Sequence, residues 1–327
     1  MTQRALCFLV ILVSGCTASR VQRDTMATVK KLGVLSVTLD RIGMQDTDRQ
    51  VLEQVAASTV ARYTEQLAGA GRWEVVPQET LRANPAFLEF AQPTRSSVYR
   101  EVLAKTAQDG AGPADPSLVM RTLGAKMRGN AEELRQLEAE NTNALAAQLE
   151  AMMALKRQNF VGAPDLPFLP YDMLRPASGG TQVRYSAGNA ARKPPEERMR
   201  EAMVAAVARL AGTLGVDALA IAYHRIGLAA GRGRVFVNDR GIDTIHMAPT
   251  LLIITRDGRV AVDTGYPTLD SLSHSRFAVP VYKKVGERDR EVDLAGAGGQ
   301  VAPVIQEMSL EVSRALVADV VKELTKG

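Results

Sequence analysis

Residues 30–39 read KKLGVLSVTL, with bulky apolar side chains at both odd and even positions. Alternate side chains leave opposite faces of a sheet, so this run predicts a strand covered on both faces. The period then changes. Val51, Leu52, Val55, Val60, Tyr63 and Leu67 recur at helical spacing behind Asp46-Thr47-Asp48, which offers N-cap oxygens, and ahead of Gly69 and Gly71, which stop a helix. A short strand, RWEVV, follows at 72–76 and is closed by Pro77.

From 78 to 195 the texture is different. Polar helical stretches are broken by Asn84-Pro85, by Pro93 and by the small-residue segment 110–116. The longest helix is predicted at 130–158, with Leu134, Leu137, Leu145, Leu149, Met152 and Leu155 on it, although Asn141 and Ala144 interrupt a clean heptad. Two readings stay open for it, a surface for oligomerisation or partner binding and a helix docked on its own domain. Residues 161–176 carry Pro164, Pro167, Pro170 and Pro176 next to Phe168 and Tyr171, which predicts an extended loop. Its aromatics either form a recognition surface or pack on the domain.

From Glu196 the first texture returns. Met199, Met203, Val207 and Leu210 share a helix face that ends at Gly212 or Gly215, and VDALAIAY at 216–223 reads as another buried strand. Residues 235–237 and TLLIIT at 250–255 continue as strands. Arg256-Asp257-Gly258-Arg259 turns the second of them into a strand at 260–264, since Asp-Gly between two such runs signals a hairpin. Val304, Met308, Val312, Leu316, Val320 and Leu324 mark a last helix over 302–324. The order predicts an α/β fold: a three-layer domain with a mixed sheet of about five strands, formed by 30–78 and 196–327, with a mainly helical and proline-rich insertion at 79–195.

The composition, 46% hydrophobic and 23% charged, is that of a globular chain able to bury a core without disulfide staples. The first residues add more. Arg4 precedes an apolar run from Ala5 to Val13, too short to span a hydrocarbon core. It ends in Val13-Ser14-Gly15-Cys16, which resembles the bacterial lipobox: an aliphatic residue, two small residues and a cysteine whose thiol receives a diacylglycerol before cleavage on its N-terminal side. Residues 1–15 are thus expected to be a signal peptide, Cys16 the lipid attachment site, and 16–29 a lipidated tether. Cys7 then leaves with the signal and Cys16 is acylated, so no thiol remains for catalysis, CxxC redox chemistry or zinc. Loss of Arg4 leaves a formal charge of +3, a mild excess that calls for no nucleic-acid partner. Thr17, where an Asp would retain an enterobacterial lipoprotein at the inner membrane, implies an outer-membrane location facing the periplasm.

A family resemblance is carried by VKKLGVLSVTL, by GRWEVVPQ after the first helix, by GVDALAIAY after the second, and by LLIITRDGRVAVDTG. Together these resemble the periplasmic α/β domain shared by the curli secretion-channel lipoprotein, the lipoprotein activators of penicillin-binding proteins and the N-terminal domain of the Tol translocation protein. The resemblance covers 30–78 and 196–327, and implies a lipoprotein that works through contacts in envelope biogenesis. The curli-channel relatives carry long β-hairpins that join a barrel; here 78–195 reads as helical instead, which speaks against a pore.

Candidate chemistry is sparse. His224, His246 and His274 are the only histidines, none spaced with another for a zinc site, and no HExxH occurs. Ser271, Ser273 and Ser275 flank His274, but no GxSxG elbow exists. Asp217, Asp257 and Asp263 fall near strand ends, where carboxylates can converge for acid–base work; Asp257 is also the natural hairpin residue and Asp217 a cap at a strand entrance. Arg225, Arg232, Arg234 and Arg240 bracket Gly231, Gly233 and Gly241, a combination suited to a phosphate or carboxylate, though without the order of a nucleotide loop. The sequence therefore leads to a noncatalytic lipoprotein that acts through contacts with an envelope protein or with itself, without cofactor or metal. The alternatives are a ligand-binding lipoprotein for an anionic cell-wall or lipid group and an envelope hydrolase.

Overall fold

The computed structural model describes residues 20–40, 49–92, 95–108, 116–174, 195–229, 236–237, 240–265, 278–284 and 298–326. The 30–39 run lies at its centre. Strand β2 (Lys31–Asp40) buries every residue from Leu32 to Leu39 and is flanked in parallel by β3 (Glu74–Val76) and β5 (Ala218–Ala229). β5 runs antiparallel to β7 (Arg240–Thr255), β7 to β8 (Val260–Asp263), and β8 to β1 (Arg20–Val21), which gives the order β1-β8-β7-β5-β2-β3. Three short additions widen the sheet: β4 (Phe160–Gly162) on the end of β2, and β6 (Phe236–Val237) and β9 (Ala278–Lys284) on the start of β7.

The mixed sheet matches the expected fold class. β7 extends well beyond the 250–255 run; its first half carries no apolar pattern and includes Pro249, which lacks the N–H a ladder requires. The sheet accommodates the proline at a gap: on that side β9 pairs with Arg240 to His246 and β8 with Leu252 to Ile254, so neither pairs with Pro249. The turn from β7 to β8 is the predicted Asp-Gly hairpin, with Gly258 at φ 83° and Thr255 N–H donating to the Arg259 carbonyl at 2.9 Å.

One face of the sheet is covered by two helices packed side by side. Helix α2 (Arg49–Gly69) buries Leu52, Val55, Val60, Tyr63 and Leu67, and the C-terminal helix (Gly298–Thr325) buries Ile305, Met308, Val312 and Val320. The Asp46-Thr47-Asp48 cap lies outside the described residues. The opposite face is covered by α9 (Pro195–Thr213), whose Met199, Met203, Val207 and Leu210 are buried as their spacing predicts.

Residues 20–29, expected as tether, are structured instead. Arg20 and Val21 form β1, and α1 (Arg23–Ala27) follows with Thr25 and Met26 buried. The Val21-Met26-Val29 spacing supplies enough apolar surface to hold this short segment on the β8 edge, where Gln22 N–H donates to the Ala261 carbonyl at 2.8 Å.

The insertion shares the core of the α/β part. Leu81 of α3 (Gln78–Arg82), Phe87 of α4 (Pro85–Glu89), and Tyr99 and Leu103 of α5 (Ser97–Gln108) all belong to the main cluster. The long helix α7 (Ala131–Asn159) divides in two. Its C-terminal half buries Leu145, Leu149 and Met153 in that core. Its N-terminal half packs Leu134 and Leu137 only against Leu118 and Ala125 of α6 (Pro116–Arg128), a separate small cluster. The α6–α7 turn is set by Gly129 at φ 66° and by Asn130, whose side chain accepts from Glu133 N–H at 3.1 Å.

Candidate functional site

The four arginines proposed for an anion are not gathered by the described structure. Arg225, near the end of β5, is only 7% exposed and lies on the same face as Tyr223, beneath the insertion. It pairs across the sheet with Ala248, whereas Arg240 begins β7 eight residues away, about 27 Å at the usual strand rise. One small anion cannot span that distance, so Arg225 and Arg240 do not share a site of that size. Arg232 and Arg234 lie outside the described residues, as do Cys16, His274 and the neighbouring serines, and only the backbone of Arg240 is described.

The proline and aromatic loop folds its rings inward. Phe168, Leu169 and Tyr171 are buried, and Tyr171, in the single turn α8 (Tyr171–Leu174), stacks on Tyr223 while its hydroxyl donates to Asp263. Phe160 tilts against the same Tyr223, and the Arg157 guanidinium covers Phe168 at 5.0 Å. Thr38 of β2 donates to the Leu169 carbonyl at 3.2 Å. These contacts secure the loop to the sheet and leave its rings no recognition surface, which decides between the two readings.

His224 serves the fold as well. It is fully buried, with Nε2 2.8 Å from the Tyr63 hydroxyl of α2, and burial pushes its pKa down to about 3. The Tyr63 hydroxyl is pushed up by the same burial. His246 is held below its ordinary pKa by partial burial; it pairs with Gly227, three residues along β5 from His224.

Each acid near a strand end is already engaged. Asp217 Oδ2 accepts from the backbone N–H of Lys31 and of Lys30, both at 2.9 Å, and Arg256 approaches its other oxygen at 3.5 Å. Those hydrogen bonds, Lys31's first, hold its carboxyl below the usual carboxylate range. Asp257 closes the hairpin, accepting from Thr255 and from Arg259, which likewise lowers its pKa. Asp263 accepts from Gly265 N–H at 2.9 Å and from Tyr171. Among the described residues no three His, Cys, Asp or Glu side chains come together as a metal site, and no helix is long and apolar enough to cross a membrane.

Two features escaped the sequence pattern. A cavity of about 420 Å³ opens between α9 and the β7–β8 hairpin, lined by Leu174, Val204, Ala205, Gly258 and Val260 together with Glu197, Arg200 and Glu201. Its walls come from three separated segments, which no local pattern reveals. The second is on α6, where Met120, Leu123 and Met127 are 66%, 51% and 81% exposed. The signal for it is legible in retrospect: apolar residues at 118, 120, 123, 125 and 127 surround the helix more widely than one buried stripe requires.

No protein-family model matches the chain, and neither a curated protein nor a solved structure matches it. The resemblance to envelope α/β domains therefore rests on the residues that carry it.

Proposed function

We propose that this chain is a noncatalytic bacterial envelope lipoprotein, anchored through Cys16 and facing the periplasm from the outer membrane, that acts by docking on an envelope protein or on a copy of itself. The observation that carries this reading is the run from Ala5 to Cys16, an apolar segment ending in Val-Ser-Gly-Cys, placed only four residues before Arg20, where the described structure begins. A lipid there holds the β1 edge of the domain near the bilayer surface, the arrangement expected of a protein that meets partners in the envelope. The engagement of His224, Asp217, Asp257 and Asp263 in structural contacts supports a role without chemistry, and the resemblance of 30–78 and 196–327 to envelope lipoprotein domains points the same way.

The test is membrane fractionation and cross-linking pull-down of the native chain beside Cys16→Ala. The native form should incorporate labelled fatty acid, sediment with outer membrane and recover a discrete partner or self-linked species. Cys16→Ala should lose the label and appear in the soluble fraction. An unlabelled native chain, or a Cys16→Ala form that sediments as before, would overturn the anchor. Turnover of a cell-wall or lipid ester by the purified protein would overturn the noncatalytic reading.

A further inference from the structure

Helix α7 runs unbroken from Ala131 to Asn159, yet its buried side changes direction part-way. Leu137 belongs to the small cluster beneath α6, whereas Leu145, Leu149 and Met153 belong to the main core. At 100° per residue Leu137 and Leu145 point about 80° apart, and about 12 Å of helix separates them. The place midway between them, in height and in direction, is taken by Asn141. We infer that α7 carries a hinge at 141–143, about which residues 116–140 swing as one arm against the rest of the fold. The inference goes beyond the docking role proposed above and stands with or without the lipid anchor.

Three observations converge on that turn of helix. The first is a polar side chain on the inward stripe. Asn141 is half-buried, its Oδ1 is shut off from solvent, and that oxygen accepts no hydrogen bond from the described residues. An acceptor held in this way is destabilising, and the penalty is relieved when the helix bends enough to admit water or a donor. A leucine at the same place would have joined the two clusters into one. The second is the backbone. Asn141, Thr142 and Asn143 are consecutive weak helix formers, and Thr142 Oγ1 donates to the Glu138 carbonyl at 2.8 Å, a back-bond of the kind that bends helices.

The third is the placement of ion pairs. Arg121 pairs with Glu140 at 3.0 Å, Arg128 with Glu133 at 2.8 Å and Arg135 with Glu132 at 3.2 Å. Among the described residues, no ion pair joins 116–140 to the body. Each pair is exposed and contributes little alone, but together they brace α6 on α7 up to Glu140, the residue before the polar turn, and nothing of the kind crosses it. The arm therefore moves as a unit. Its motion sets the angle at which the exposed Met120, Leu123 and Met127 stand to the sheet.

The test uses the full chain with Cys7→Ser and Cys16→Ala, which removes both native thiols, and spin labels at Met127→Cys and Leu155→Cys. Both positions are exposed, one on the arm and one on the body half of α7. The distance between the labels should be broadly distributed. Asn141→Leu should collapse it to a narrow peak and slow amide exchange at 138–144 about tenfold, the effect of removing one buried unpaired acceptor. Asn141→Ala removes the same acceptor without added bulk and should slow exchange in the same sense, which covers the case in which a leucine does not fit. Asn143→Leu, on the exposed side of the helix, should act more weakly in both measurements. A narrow distribution with Asn141 in place, exchange at 138–144 no faster than on either side of it, no response to either substitution of Asn141, or an equal response to Asn143→Leu would each overturn the hinge.

Discussion

Asp217 joins three pieces of chain that are far apart in sequence. Its carboxylate receives two N–H groups at the start of β2, its own N–H donates to the Lys31 carbonyl at 2.8 Å, and its carbonyl receives Arg256 N–H from the β7–β8 hairpin at 2.8 Å. Replacing it with Ala removes an ionised acceptor from two backbone donors, so Asp217→Ala should lower stability by about 1–3 kcal/mol in urea denaturation, with Asp217→Asn intermediate. His224 makes the fold sensitive to acid. Its pKa is near 3 in the folded protein and near 6.5 when unfolded, so below pH 6.5 the unfolded chain takes up a proton that the folded one refuses. Stability contributed by the neutral ring is complete above pH 6.5 and is lost toward pH 3, at up to ~1.4 kcal/mol per pH unit. Between pH 7 and pH 5 this amounts to about 2 kcal/mol, a window above the titration of ordinary carboxylates. The Tyr63→Phe/His224→Phe pair, which removes both polar partners together, should flatten urea midpoints across that window; an unchanged slope would assign the acid sensitivity elsewhere.

At the scale of elements, α7 is one helix with two mechanical halves. Leu149→Ala opens a cavity in the main core and should cost about 2–5 kcal/mol of global stability. Leu137, equally buried at 2%, belongs only to the small cluster beneath α6. Leu137→Ala should therefore speed amide exchange across 116–140 while the global melting temperature moves much less; coincident loss of both would mean that the arm and the body unfold as one unit. The two halves also show what pattern alone reveals. Strand β2, helices α2 and α9 and the Asp-Gly hairpin were legible because each carries its own period or turn chemistry. The first half of β7 was not, because its pairing with β9 is decided across 30 or more residues, and Arg240-Gly241-Ile242-Asp243 has no apolar alternation to announce it. The insertion read as separate from the α/β part because its helices are polar on their outer faces; the buried Phe87, Phe90, Tyr99 and Leu149 that fasten it to the sheet are too widely spaced to show a common core.

For the whole molecule, the candidate sites divide along the same line. His224 and the acids Asp217, Asp257 and Asp263, singled out by type, serve the fold, since a residue's chemistry is visible in sequence but its partners are not. Arg225 is the clearest case: adjacent in sequence to the arginine and glycine segment, yet placed by register about 27 Å from Arg240. The arm on α6 is the converse, a surface that no single residue type announces and that emerges only when burial is known.

The short strand β1 gives the molecule a further property. It holds the sheet by two residues, and α1 behind it is held by buried Thr25 and Met26. With the lipid proposed at Cys16, a load that separates the body from the membrane would reach the β1–β8 pairing first. Peeling the edge open would release residues 20–29 and lengthen the reach of the domain by about 35 Å at the span of extended chain. The edge would then work as a mechanical fuse: the leash is short at rest and pays out under tension before the load reaches β2, into which it runs.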